Sequence, residues 1–287
     1  MSNYIFNIIP KIPVADWATS FVDWLTDAFA FLFDPIKKHF GDFMKYMSEE
    51  LLMSIPPVVF IILVAVLAFF LSGKKFGLAA FSIVGLWFIY NQGYWEQLMS
   101  TVTLVILASL LSIIIGVPIG ILMSKSKVAS AIITPILDFM QTMPAFVYLI
   151  PAVAFFGIGM VPGVFASLIF ATPPTVRFTN LGIRQVSNEL VEASDAFGST
   201  GWQKLFKVEL PMAKSTIMAG INQTVMLSLS MVVIASMIGA PGLGREVLSA
   251  LQRSQVGPGF ASGVAIVILA IIIDRMTQSI SKKAKTK

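Results

Sequence analysis

The side chains able to do chemistry in this 287-residue chain are few, and most reaction classes drop out with them. There is no cysteine, which excludes disulfides, thiolate metal sites and cysteine nucleophiles. The single histidine, His39, is no basis for a histidine metal cluster or a Ser-His-Asp triad. No GxxxxGK(S/T) stretch occurs, so ATP chemistry by that route would have to come from a partner. What remains is a set of polar side chains inside apolar stretches. Asp138 is the one acid placed well inside such a stretch, and Gln141 and Thr142, three and four residues on, share its helix face. An intramembrane carboxylate is costly and either lines water or takes a partner. Both readings stand here, the partner being a basic residue near the cytoplasmic end such as Arg177. Further on, Asn222 and Ser230 share one helix face, Thr224 and Ser228 another, and Gln223 lies between. These residues make either interhelical hydrogen bonds or the wall of a wet path.

The elements that must position these residues are membrane helices. The chain is 56% apolar and 12% charged, with a mean hydropathy of +0.85. That charged share is about half the usual one for soluble domains. The net charge of +5 is dispersed until the extreme C-terminus, which reads as membrane topology rather than nucleic-acid binding. Seven stretches approach the roughly 17–25 residues of a spanning helix: 56–72, 76–91, 98–123, 129–156, 162–179, 215–239 and 260–273. Placing the tail lysines Lys282, Lys283, Lys285 and Lys287 in the cytoplasm leaves only Lys11, Lys37, Lys38, Lys45, Arg245 and Arg253 of 20 basic residues outside. The N-terminus is then outside and the C-terminus cytoplasmic, in a multi-pass protein of the cell membrane. Residues 1–55 form an extracytoplasmic segment. In it, Asp16, Asp23, Asp27 and Asp34 make one stripe of an amphipathic helix, opposite Trp17, Phe21, Trp24, Leu25, Ala28, Phe31 and Leu32. A weaker amphipathic stretch follows with Ile36, Phe40, Phe43, Met47 and Leu51. Pro144 and Pro151 are expected to bend the fourth span, and a glycine-rich turn, 239–244, to precede a short outer helix over 246–253.

The most informative segment is the polar interval 182–214. Ser187 is expected to cap a helix that Gly198 stops, and a second short helix starts near Thr200, with Pro211 ending the segment. Such a pair makes a compact cytoplasmic knob. Glu192-Ala193-Ser194, three residues, Gly198, nine residues, then Val208-Glu209-Leu210-Pro211 resembles the EAA motif of permease subunits of ATP-binding cassette (ABC) importers. Ser194 in place of a second Ala and Val208 in place of Ile are mild departures.

The resemblance implies that the knob couples the membrane helices to an ATPase subunit, with Glu192, Ala193, Ser194, Gly198, Leu210 and Pro211 as coupling residues. From about Leu98 onward, segments 138–151, 220–244 and 265–278 resemble permeases of glycine betaine/proline betaine importers. That family implies an all-α type I importer core over 98–276, here preceded by two additional spans over 56–97 and followed by a basic tail, 277–287. It also implies two permease copies per pore, an ATPase dimer using ATP and magnesium, an outside binding protein, and no cofactor on this chain. No aromatic cage for a quaternary ammonium is evident, so the solute, betaine, comes from the resemblance alone. An ABC permease for an amino acid, or an ion-coupled transporter or channel using Asp138, are the rival readings.

Overall fold

Inside a bilayer an apolar stretch satisfies its backbone only within a helix or a closed barrel, and every regular element among the described residues is helical. The computed structural model describes residues 13–285. Lys11 and the side chains of Lys282, Lys283, Lys285 and Lys287, on which part of the orientation rests, lie outside the described residues.

The first helix, α1 (Val14–Ala28), has no buried residue and exposes Trp17, Phe21 and Trp24. The chain breaks at Phe29 and resumes as α2 (Ala30–Pro35), a π-helical turn over Ile36–Phe40, α3 (Gly41–Lys45) and a second π turn over Tyr46–Leu52. A π turn holds more residues than an α turn and so rotates every face that follows it. The buried positions are therefore Met44 and Ser48, while Phe43 and Leu51 of the expected stripe are exposed. Phe33 stacks on Phe155 at 4.8 Å and Phe40 meets Phe165 edge-on at 5.8 Å, which anchors this stretch to the helices behind it.

Next come α4 (Pro57–Leu71), α5 (Phe76–Asn91), α6 (Trp95–Lys125) and α7 (Lys127–Thr142). A short 3-10 turn over Ala145–Tyr148 leads from α7 to α8 (Leu149–Phe156), and the chain bends by 109° at the break. The cause is Pro144, which has no N–H to continue the ladder and holds Met143 extended. Pro151 produces no bend, because it lies in the first turn of α8. The stretch 129–156, expected as one span, is thus a bent pair. It is followed by α9 (Met160–Arg184), α10 (Asn188–Ala196), α11 (Gly201–Lys204), α12 (Leu210–Ala235), α13 (Leu243–Gln252) and α14 (Val256–Lys285). The outer helix α13 begins three residues earlier than the sequence places it.

All seven expected spans fall on helices. Among the described residues, three helical runs, Trp95–Lys125, Gly201–Ile238 and Val256–Ser281, are by themselves long and apolar enough to cross a membrane, and up to five crossings result if each bent pair counts as one. The difference from seven has a physical origin. Helices α4 and α5 have 15 and 16 residues, short of the roughly 20 that span a bilayer core, and α9 is diluted by its threonines, Arg177, Asn180 and Arg184.

The centre is a trio, α6, α9 and α12. A Cβ on Gly120 would lie 2.7 Å from the Val176 carbonyl, and one on Gly220 2.5 Å from Phe178 Cβ, so α9 approaches both neighbours at backbone distance. Buried polar contacts lock the trio. The Thr175 and Thr224 hydroxyls are 2.7 Å apart, Thr224 also donates to the Ala171 carbonyl at 2.8 Å, and Ser112 donates to the Leu168 carbonyl at 3.2 Å. At the outer end the Leu243 N–H donates to Thr101 Oγ1 at 2.8 Å, tying the glycine-rich turn to α6. Nearby, burial and then the Glu246 charge push the Tyr94 phenol above its ordinary pKa.

Candidate functional site

Two constellations lie along one helical run, one at its start and the other reaching it near its middle. The first is the knob. Helix α10 ends at Phe197 in a complete Schellman motif: Gly198 N–H donates to the Asp195 carbonyl at 2.9 Å and Ser199 N–H to the Ser194 carbonyl at 3.1 Å. Gly198 takes φ +75°, the left-handed conformation expected from the sequence. Ser187 holds the N-cap position of α10 without a side-chain bond. Thr200 begins α11 with a reciprocal capping box to Gln203. Lys204 Nζ contacts both Asp195 carboxylate oxygens at 2.8 Å, pinning α11 to α10.

Pro211 does not end the segment. A π-helical turn over Leu205–Glu209 carries α11 into α12, and Gly201–Ile238 is one helical run of 38 residues. Proline is accommodated because it sits in the first turn of α12, after a turn whose hydrogen-bond pattern is already shifted. Two contacts brace the knob from the sides. Glu209, 4% exposed, pairs with Lys125 at the end of α6. Arg184 donates to the Met123 carbonyl at 2.8 Å and to Asn180 Oδ1 at 2.9 Å. Of the singled-out residues, Glu192, Ala193, Gly198 and Pro211 are exposed, Leu210 is half-buried and Ser194 is buried. Phe197 beside them is 91% exposed, an apolar side chain that the fold leaves uncovered.

The second constellation lies on α7, α9 and α12. Asp138 forms an ion pair with Arg177, which joins α7 to α9. Of the two readings of Asp138, the paired one is the arrangement found. Gln141 and Gln223 line one cavity of about 370 Å³ together with Phe170, Arg177 and Phe178. Asp138, Gln141, Thr142, Gln223 and Ser230 are exposed on this chain. Thr142 and Ser230 return their hydroxyls to their own helices, to the Phe139 carbonyl at 2.9 Å and the Met226 carbonyl at 3.1 Å.

Asn222 goes elsewhere. Its amide donates to Asp274 Oδ1 at 3.2 Å, it accepts from the Thr277 hydroxyl, and Gln278 closes the cluster on Asp274 Oδ2 at 2.7 Å. This brace between α12 and α14 was missed because the seventh span was ended at residue 273. Asp274, Thr277 and Gln278 repeat the spacing of Asp138, Gln141 and Thr142, which was the available signal. Asp138 is thus not the one acid in the spanning helices. Phe170 and Phe178 were also missed, since phenylalanine is too common here to signal a site.

Residues 112–286 match the family described as "Binding-protein-dependent transport system inner membrane component". The chain is 59% identical to the glycine betaine/carnitine transport permease protein GbuB of Listeria monocytogenes serotype 1/2a (strain 10403S), covering 97% of this chain and 99% of that one. It is 51% identical to the glycine betaine transport system permease protein OpuAB of Bacillus subtilis (strain 168), over 97% and 98% of the two chains. It is 48% identical to the glycine betaine/proline betaine transport system permease protein ProW of Escherichia coli (strain K12), over 98% and 80%. Among solved structures it superposes on a chain of the inward-facing MetNI methionine ABC transporter with a TM-score of 0.60 at 21% identity, covering 66% of this chain and 94% of that one. At that identity the match speaks for the fold alone. With the knob, the packed trio and these relatives in place, the chain belongs to the inner-membrane permease family of binding-protein-dependent ABC transport systems.

Proposed function

We propose that this chain is the membrane-spanning permease of an ATP-driven importer for glycine betaine or related quaternary-ammonium osmoprotectants. The glycine betaine permeases similar to it across nearly its whole length support that solute. The chain is a transport subunit and not an enzyme; in this reading a separate ATPase subunit hydrolyses ATP, with magnesium. Family membership brings an ATPase and a substrate-binding protein as partners. In this reading the ATPase dimer receives the exposed surface of Glu192, Ala193 and Phe197, and Gly198, Leu210 and Pro211 shape and connect the knob. The outside binding protein docks near α13, the N-terminus lies outside, and the basic tail lies in the cytoplasm. Residues 1–55 are the interfacial extension, 56–97 two added spans and 98–276 the pore-forming core.

The observation that carries the mechanism is the continuous 38-residue helix from Gly201 to Ile238. It has the knob at one end and Gln223 near its middle. Movement of α10 by a closing ATPase passes to α11 across the Gly198 bend, which the contact between Lys204 and Asp195 braces, and from α11 along the continuous helix to the path. Asp138 is engaged by Arg177, so it does not stand free as an ion or proton site, which weighs against an ion-coupled transporter.

Polar side chains exposed toward the end of α7 and midway along α12 cannot face lipid without large cost, so in this reading a second copy of this chain lies against them, with the path between. The test is reconstitution of the chain with its ATPase and binding protein in liposomes. ATP-dependent uptake of radiolabelled glycine betaine that vanishes without the ATPase is expected. Equal uptake by the chain alone would refute the reading.

A further inference from the structure

The ion pair between Asp138 and Arg177 uses one arm of the guanidinium only. Arg177 Nε is buried and has no hydrogen-bond acceptor, although a guanidinium carries five donors. A buried charged donor left unsatisfied is expensive and rare. It lies in a residue that lines the 370 Å³ cavity, with two amide side chains, Gln141 and Gln223, and two aromatic rings, Phe170 and Phe178. That volume falls in the lower range of small-molecule sites.

We infer that this cavity is a transit site for a small zwitterion, with Arg177 reading its carboxylate and Phe170 and Phe178 receiving its quaternary ammonium. The assignment follows from the chemistry of the lining. A carboxylate takes two parallel N–H bonds from a guanidinium, and Nε, shielded from solvent here, is a donor without a partner on a side chain that is 36% exposed. A trimethylammonium group has no N–H to donate, and it is held by aromatic faces rather than by acceptors. Gln141 and Gln223 serve either end without charge. The resident Asp138 competes for the same guanidinium, so the carboxylate is held weakly and released, as a transport path requires. Recognition of this kind makes Arg177, which the sequence offered only as a partner for Asp138, a specificity residue of the pore.

The inference rests on the proposed zwitterion importer, and one assay separates the two. The full complex in liposomes is scored for glycine betaine uptake and for ATP hydrolysis stimulated by the loaded binding protein. If the wild-type complex imports no betaine, the importer reading fails. Given wild-type import, Arg177→Lys is decisive, because it keeps the charge and the pairing partner of Asp138 but removes the planar fork. Betaine moved per ATP hydrolysed is expected to fall about tenfold or more, with stimulated hydrolysis retained. The charge-swapped double variant, Asp138→Arg with Arg177→Asp, restores an ion pair between α7 and α9 but puts the guanidinium on the wrong helix. It is expected to stay uncoupled. Wild-type uptake by Arg177→Lys, or recovery of uptake by the charge swap, would make the pair a structural brace and overturn the transit site.

Discussion

Glycines at residues 198 and 220 answer to different physics, and the difference predicts opposite outcomes for their replacement. A Cβ on Gly220 would sit 2.5 Å from Phe178 Cβ and 3.1 Å from the Pro174 carbonyl. Gly220→Val therefore forces α12 off α9 and is expected to cost about 1–3 kcal/mol or more, visible as a lowered melting temperature in detergent and loss of assembled complex. A Cβ on Gly198 meets nothing within 4 Å, so its replacement costs only the left-handed backbone, at φ +75°, about 1–2 kcal/mol. Gly198→Trp should then insert and assemble in the membrane, yet lose coupled uptake, because the bulk meets the partner and not this fold. Normal betaine uptake by that variant in the reconstituted importer would remove the coupling role. The need for a bend at Gly198 was legible in the sequence from the apolar run that stops there. The need for glycine at residue 220 was not, because the opposing Phe178 lies 42 positions away and nothing local announces it.

At the scale of elements, the seven apolar stretches were legible because each is a long run that only a helix can satisfy in lipid. Their junctions were less so. Pro211 reads as a helix stop, but the π turn over Leu205–Glu209 lets the helix run through it, and the same device rotates the face after Ile36–Phe40. A π turn has no compositional mark, so sequence periodicity drifts out of phase with the true face wherever one occurs. The consequence at the knob is mechanical. With α11 continuous into α12, the proposed coupling knob and path would act as one lever braced by the pair between Lys125 and Glu209. Inserting two glycines after Glu209 should break the lever, leaving ATP hydrolysis while betaine uptake falls to background. Unimpaired uptake would show that force travels by α9 instead. Glu209→Gln removes the brace's charge and leaves a buried amide beside Lys125. A loss of about 1.5–3 kcal/mol in stability is expected, read as a lower melting temperature, with a lower ratio of betaine moved to ATP hydrolysed.

For the whole molecule, the question is what covers its polar face. Helices α4 and α5 show Val58, Ile62, Phe70 and Trp87 to the outside, which suits lipid. Across α7 and α12 the exposed residues include the polar Asp138, Gln141, Thr142, Gln223 and Ser230, with the half-buried Arg177 of α9 among them, and that polar face does not. A bilayer would charge several kcal/mol for that face, so it belongs against water, and water at that depth needs an opposite wall. In the proposed pore, a second copy related by two-fold symmetry would supply it, since one patch can serve both sides of an isologous interface. The absence of cysteine in the chain makes this directly measurable. A Gln223→Cys variant introduces a lone thiol on the polar face, and Ile132→Cys places one on α7 at a position 60% exposed, as a lipid-facing reference. In the reconstituted importer, a charged, water-soluble thiol reagent should modify residue 223 and spare residue 132. Turnover with ATP should change the rate at 223, as the path alternates between the two sides of the membrane. Equal resistance of both thiols to the reagent, with and without ATP, would mean that the polar face is sealed and that solute passes elsewhere.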